Sequence, residues 1–119
     1  MIEGMAPSLR PESFVFVTGA AEAMISGAIA MLREDEGLSL IVPAEGAPPD
    51  LPRMRMITLQ VHSALEGVGL TAAVAAALAE HDIAANVVAA YHHDHVFVPE
   101  TQADAALAVL RALAAAAAG

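Results

Sequence analysis

Between residues 55 and 113 the spacing of hydrophobic side chains changes period several times, and that succession restricts the fold more than any other feature. Residues 55–61 alternate. Ile57, Leu59 and Val61 point one way, and Met56, Thr58, Gln60 and His62 the other, which is the period of a half-buried strand. From Gly69 the repeat lengthens: Leu70, Val74 and Leu78 form a helical stripe, with Ala73 and Ala77 beside it, ending near His81 and Asp82. Residues 86–92 and 95–98 are two β runs around a short turn at His93 and Asp94, and Pro99 stops the second. Thr101 is placed to cap a last helix whose apolar face is Ala103, Ala106, Leu107, Leu110 and Leu113, with residues 114–119 expected to fray.

This β-α-β-β-α order is ferredoxin-like, with its closing strand missing or supplied from elsewhere. It predicts an α+β fold in which an antiparallel sheet carries its helices on one face. The first half is less regular. Residues 13–18 are apolar on both faces and read as a strand covered on both sides, after an irregular lead-in bracketed by Pro7 and Pro11. Residues 28–42 satisfy two patterns. Ile25, Ile29 and Leu32 sit at helical spacing, whereas Glu34-Asp35-Glu36-Gly37 is a turn signal and residues 38–42 alternate up to Pro43. Residues 44–52 hold three prolines and a glycine without periodicity, which marks a linker. Three strands with little helix cannot bury a core alone, so residues 1–48 are expected to complete the sheet begun by residues 53–119, as one compact unit.

Charge and composition remove several function classes. The chain has 119 residues, no cysteine and no lysine, and its 14 acidic residues against five scattered arginines give a net charge of -9. Phosphate backbones and anionic lipid need clustered cations, so neither nucleic acid nor membrane is an expected partner. A disulfide scaffold and a cysteine zinc site are excluded. The uncharged helical stretch 67–79 falls short of the ~20 residues that span a bilayer, and residues 1–4 open no signal peptide, so a cytoplasmic protein is expected.

Three segments bring a family into view. Met56-Ile-Thr-Leu-Gln-Val-His-Ser63, Gly67-Val-Gly-Leu-Thr71 and Asp82-Ile-Ala-Ala-Asn-Val87 resemble the first strand, glycine-leucine helix start and second strand of an ACT domain. The chain as a whole is similar to short bacterial ACT-like proteins related to the tandem-ACT amino-acid-sensing class. The hairpins around Arg33-Glu-Asp-Glu-Gly-Leu-Ser-Leu40 and Ala90-Tyr-His-His-Asp-His-Val-Phe-Val-Pro99 are part of that similarity. The resemblance implies a hairpin for residues 28–42 and makes residues 1–48 a degenerate three-stranded ACT-like repeat. It also implies a ligand at the strand-to-helix turn, often across an interface with a second ACT unit. One departure stands out: where many ACT domains carry an acid at the strand end, this chain has His62-Ser63 and places Glu66 further on.

The candidate site is therefore the turn 63–70. Helix-start N–H groups suit a carboxylate, Gly67 and Gly69 admit a ligand to the backbone, and Glu66 can pair with an ammonium group. Ser63, Glu66, Gly67, Val68, Gly69 and Leu70 are taken as ligand-binding, with Asn86 and Tyr91 on the strand after the helix. The plainer reading of the glycines is a tight turn, and of Asn86 and Tyr91 a backbone partner and a half-buried filler. His92, His93 and His95 around Asp94 could supply metal ligands, but adjacent strand residues face opposite ways, and a solvated turn is expected there. No nucleophile elbow, P-loop or dinucleotide fingerprint is present, so no enzyme, metal or cofactor is expected. The expected function is a small-molecule sensor, with an amino acid as the ligand the resemblance suggests, that forms a homodimer. The alternatives are an oligomerisation module without ligand and a histidine-based metalloenzyme.

Overall fold

The chain runs through β1 (Pro7–Thr18), α1 (Glu22–Gly27), β2 (Ala30–Glu34), β3 (Gly37–Pro43), β4 (Met54–Leu59), α2 (Gly69–Glu80), β5 (Asn86–Ala89), β6 (Asp94–Pro99) and α3 (Ala103–Ala118). This is a computed structural model that describes residues 4–19, 22–60 and 69–118. Among the described residues the strands form one sheet in the order β2-β3-β1-β4-β6-β5, with every pairing antiparallel.

The closing strand that the second half lacks is β1. Its first part pairs with β4 at Pro7, Ser8 and Leu9, and its last part pairs with β3 from Phe14 to Thr18. Between them the register shifts, from Leu9 to Ser13. The irregular lead-in expected up to Pro11 is thus strand on both sides of a break. Pro11 has no N–H to give a ladder, and the break removes the demand for one. The Arg55 guanidinium steadies it, donating to the Arg10 carbonyl from Nε at 3.0 Å and Nη2 at 2.7 Å.

Residues 28–42 resolve as the hairpin, turning at Asp35 and Glu36, and the helical spacing before it ends with the short α1 at Gly27. Gly37 leaves the turn at φ 137°, which a side chain would strain. Ile29 N–H donates to Ile41 O at 2.8 Å, so the backbone enters the ladder at once. The linker after β3 covers the sheet where a second helix would lie, with Ala44, Ala47 and Leu51 packed on Val15, Leu40 and Val42. Arg53 pins it, donating to the carbonyls of Pro48, Leu51, Ala47 and Ala44 at 2.7, 3.1, 3.2 and 3.5 Å.

The main core lies on the helix-bearing face of the second half. Ile57 and Leu59 of β4 and Val96 and Val98 of β6 meet Leu70, Val74 and Leu78 of α2 and Ala103, Ala106 and Leu110 of α3. The opposite face is curled and holds Phe14, Ile41 and Phe97 with Met54 and Met56. Phe97 receives the ring edges of Phe14 and Phe16 at centroid distances of 6.0 and 5.6 Å. The last helix starts differently from expectation. Thr101 falls inside a 3₁₀ turn, Glu100–Gln102, that no side chain caps, and α3 continues to Ala118 through the alanines expected to fray.

Candidate functional site

At one end of the sheet β4 runs out at Leu59, α2 begins at Gly69, and the β5–β6 hairpin turns over residues 90–93. The hairpin is closed by Ala90 N–H donating to His93 O at 3.1 Å. The N–H groups of the first α2 turn have no partners within the helix and point toward this end. Gly69 is exposed there, and a Cβ at that position would meet nothing within 4 Å. Leu70 contributes only its backbone, because its side chain is buried against Val74 and Leu78.

Of the other residues singled out by sequence, Ser63, Glu66, Gly67 and Val68 lie outside the described residues. Tyr91 belongs to this end, 75% exposed in the hairpin turn with its ring against His92 at 5.1 Å. Asn86 does not come together with it. It starts β5 opposite Phe97, three residues from the hairpin end and on the curled face rather than the helix face.

Asp94 is the residue that sequence reasoning missed. The reading of a solvated turn at His93 and Asp94 gives way to a turn at residues 90–93, with Asp94 as the first residue of β6. It is 2% exposed, lies opposite Leu59, and shares the strand parity of Val96 and Val98, whose side chains enter the helix-side core. Its Oδ1 has no hydrogen-bond partner among the described residues. A buried carboxylate oxygen without a donor costs several kcal/mol unless a cation or donor meets it. The available signal was the alternation itself: extending the inward positions Val98 and Val96 back by two residues reaches Asp94.

On the curled face, the Thr58 hydroxyl and His95 Nδ1 lie 3.0 Å apart, which leaves buried Thr58 satisfied. His95 is held below the ordinary imidazole value of 6.5, first by burial and then by His93; Arg10 acts in the same direction and Asp94 against it. Further along the curl a hollow of about 550 Å³ is lined by Phe16, Ile41, Leu32 and Val88. Leu32 and Val88 stand on opposite edge strands, so the sheet curls far enough for both to line one concavity. Among the described residues no three His, Asp or Glu side chains gather as a metal-binding set. No helix there is long and apolar enough to cross a membrane.

The ACT-domain profile matches residues 53–112, and a second ACT-domain profile matches residues 1–50. The chain belongs to the ACT-domain family. ACT domains are regulatory, ligand-binding modules rather than catalytic ones, and the two matches share one sheet here. A crystal structure from Vibrio cholerae, described as a protein of unknown function and possible transport protein, is 44% identical. It covers 92% of this chain and 90% of its own at a TM-score of 0.79. A protein from Agrobacterium tumefaciens is 19% identical with a TM-score of 0.66, covering 86% of this chain and 81% of its own. The regulatory subunit of aspartate kinase from Thermus thermophilus is 9% identical with a TM-score of 0.59, covering 92% and 97%; it shares the fold. No curated protein matches the chain.

Proposed function

We propose that this ACT-domain protein is a cytoplasmic regulatory sensor that binds a small zwitterion of the amino-acid class where β4 ends and α2 begins. The buried carboxylate of Asp94, whose Oδ1 has no hydrogen-bond partner among the described residues, carries the reading. An ammonium group there gives Oδ1 a donor, and the first-turn amides of α2 take the carboxylate. The reading takes Ser63, Glu66, Gly67 and Val68, which lie outside the described residues, as ligand contacts together with Gly69 and the Leu70 backbone; Tyr91 stands at the rim, and Asn86 lies on the other face of the sheet. A zwitterion also suits a chain of net charge -9, which repels a plain anion. The reading includes self-association as a homodimer. The other candidate, an oligomerisation module that binds nothing, is favoured by the apolar edge of the first half described below.

The experiment is a thermal-shift screen against the amino acids, followed by calorimetric titration of wild type, Asp94→Asn, Glu66→Ala and Gly69→Val. A charge-assisted hydrogen bond is worth ~1.5–3 kcal/mol, so Asp94→Asn should weaken the ligand roughly ten- to a hundredfold. Gly69→Val, with open space around its Cβ, should block the backbone approach while the fold persists. A larger loss in Glu66→Ala than in Asp94→Asn would move the cation contact to Glu66. No stabilisation by any amino acid would favour the ligand-free module.

A further inference from the structure

The geometry points to β2 as the docking edge for a second copy of this chain, paired antiparallel to its twin with Leu32 opposite Leu32. This docking rests on the self-association included above and is independent of the ligand.

β2 is an outer strand of the sheet, and its side chains face the wrong way for a monomer. Met31 and Leu32 are 54% and 64% exposed, with exposed Ile29 just ahead of the strand and exposed Met24 and Ile25 in α1 before it. The charges of the strand, Arg33 and Glu34, sit at its end beside the turn, and Ala30–Leu32 holds neither charge nor proline. The other edge, β5, is only four residues long.

The backbone direction selects the register. The two-residue turn makes Glu34 and Gly37 a hydrogen-bonded pair, so the pairs alternate back along the hairpin. Arg33 with Leu38 and Met31 with Leu40 are then the pairs that do not bond each other. Gly19 N–H donates to Leu38 O at 3.1 Å, so that carbonyl faces β1 and its partner Arg33 faces the free edge. Met31 and Arg33 therefore offer both N–H and C=O outward. A twofold axis at Leu32 sets Met31 against Arg33 of the second copy in both directions and forms four backbone hydrogen bonds. An axis at Met31 reaches that number only by drawing on the Ile29 carbonyl, outside the strand, since Ile29 N–H is already given to Ile41. An axis at Arg33 sets two guanidinium groups opposite each other.

Side chains agree with the Leu32 axis. Leu32 meets Leu32 on the curled face, where it lines the hollow, and each Met31 lies along the stem of the other copy's Arg33. Glu34 falls opposite Ala30 and accepts a hydrogen bond from the Ser39 hydroxyl, which turns it back toward β3. Asp35 and Glu36 lie beyond the paired segment at opposite ends, so the acidic turns of the two copies stay apart.

Light scattering should give twice the 12.1 kDa chain mass for the wild type, and the chain mass for Met31→Pro. That proline removes an outward N–H and no bond to β3, and circular dichroism checks that its fold persists. Because the chain has no cysteine, Leu32→Cys places one thiol per copy. Facing residues of a non-bonded antiparallel pair have Cα atoms ~4.5 Å apart, within disulfide range, whereas two Arg33 Cα atoms would stand roughly 8 Å apart, beyond it. In glutathione buffer Leu32→Cys should therefore cross-link at least tenfold faster than Arg33→Cys. A monomer at all workable concentrations overturns the proposal, as does a dimer that survives Met31→Pro or cross-links equally through Arg33→Cys. Asp94→Asn should remain a dimer, so loss of the ligand reading would leave this one standing.

Discussion

The two halves of the sheet have similar strand layouts and very different cover. In the second half, α2 and α3 lie side by side over β4 and β6, and among the described residues they, Met5 and Ile83 form one cluster of twelve buried side chains. In the first half, a six-residue helix and a proline-rich linker do the covering, and the buried cluster on that face has four members. Among the described residues, six of the eight exposed large hydrophobic ones fall between Phe16 and Leu32. A repeat that loses a helix keeps its strands as long as a neighbour supplies the core, and its own apolar surface becomes available for contact.

Core truncation tests this contrast most severely. Leu110→Ala empties a fully buried position between α3 and the sheet and should cost about 2–5 kcal/mol in urea unfolding. Leu32→Ser, measured where the protein is dilute enough to be monomeric, should stay within about 0.5 kcal/mol. Equal losses would mean that the halves are covered alike after all. Next in size is Arg53→Ala, which frees the linker from its four carbonyl contacts. Hydrogen bonds from a charged group are worth ~1.5–3 kcal/mol, and partial exposure of Arg53 brings the expected cost to about 1–2 kcal/mol. Hydrogen exchange should quicken in residues 44–51 and leave α3 protected.

The smallest effect concerns pH. His95 has a folded pKa below its unfolded value near 6.5, so the unfolded chain binds the extra proton as pH falls. Stability should decline as pH drops from about 6.5 toward the folded pKa, and that slope should flatten in His95→Gln. A slope unchanged by the substitution would assign it to other groups.

Much of the second half was legible because its apolar side chains repeat long enough to reveal a period. Leu70, Val74 and Leu78 could belong only to one helix face, and Ile57 and Leu59 to one strand face. The first half was harder. Six residues of α1 are fewer than two turns, too short to separate from the strand that follows, and the family resemblance rather than the spacing decided between helix and hairpin. The lead-in hid a strand because its break absorbs Pro11, a tertiary accommodation involving Arg55 forty-five residues away from Arg10. The expectation of a dimer drew on a missing closing strand, and β1 fills that place; among the described residues the outer strands are β2 and β5 instead. At the site, the start of α2 at Gly69 could be read from the change of period. The burial of Asp94 could not, because it depends on where the β5–β6 turn ends, and a shift of one residue exchanges the buried and exposed faces.

The double duty of β1 bears on how this chain can change over time. The two profile matches meet near residue 50, yet the strand that closes the second half lies at the start of the first. A duplicated domain ordinarily leaves two copies that can be lost, swapped or fused elsewhere one at a time. Here the copies have traded a strand, and neither can be inherited without the other. The linker at residues 44–52 runs across the boundary between the two profile matches, while the sheet continues unbroken over it.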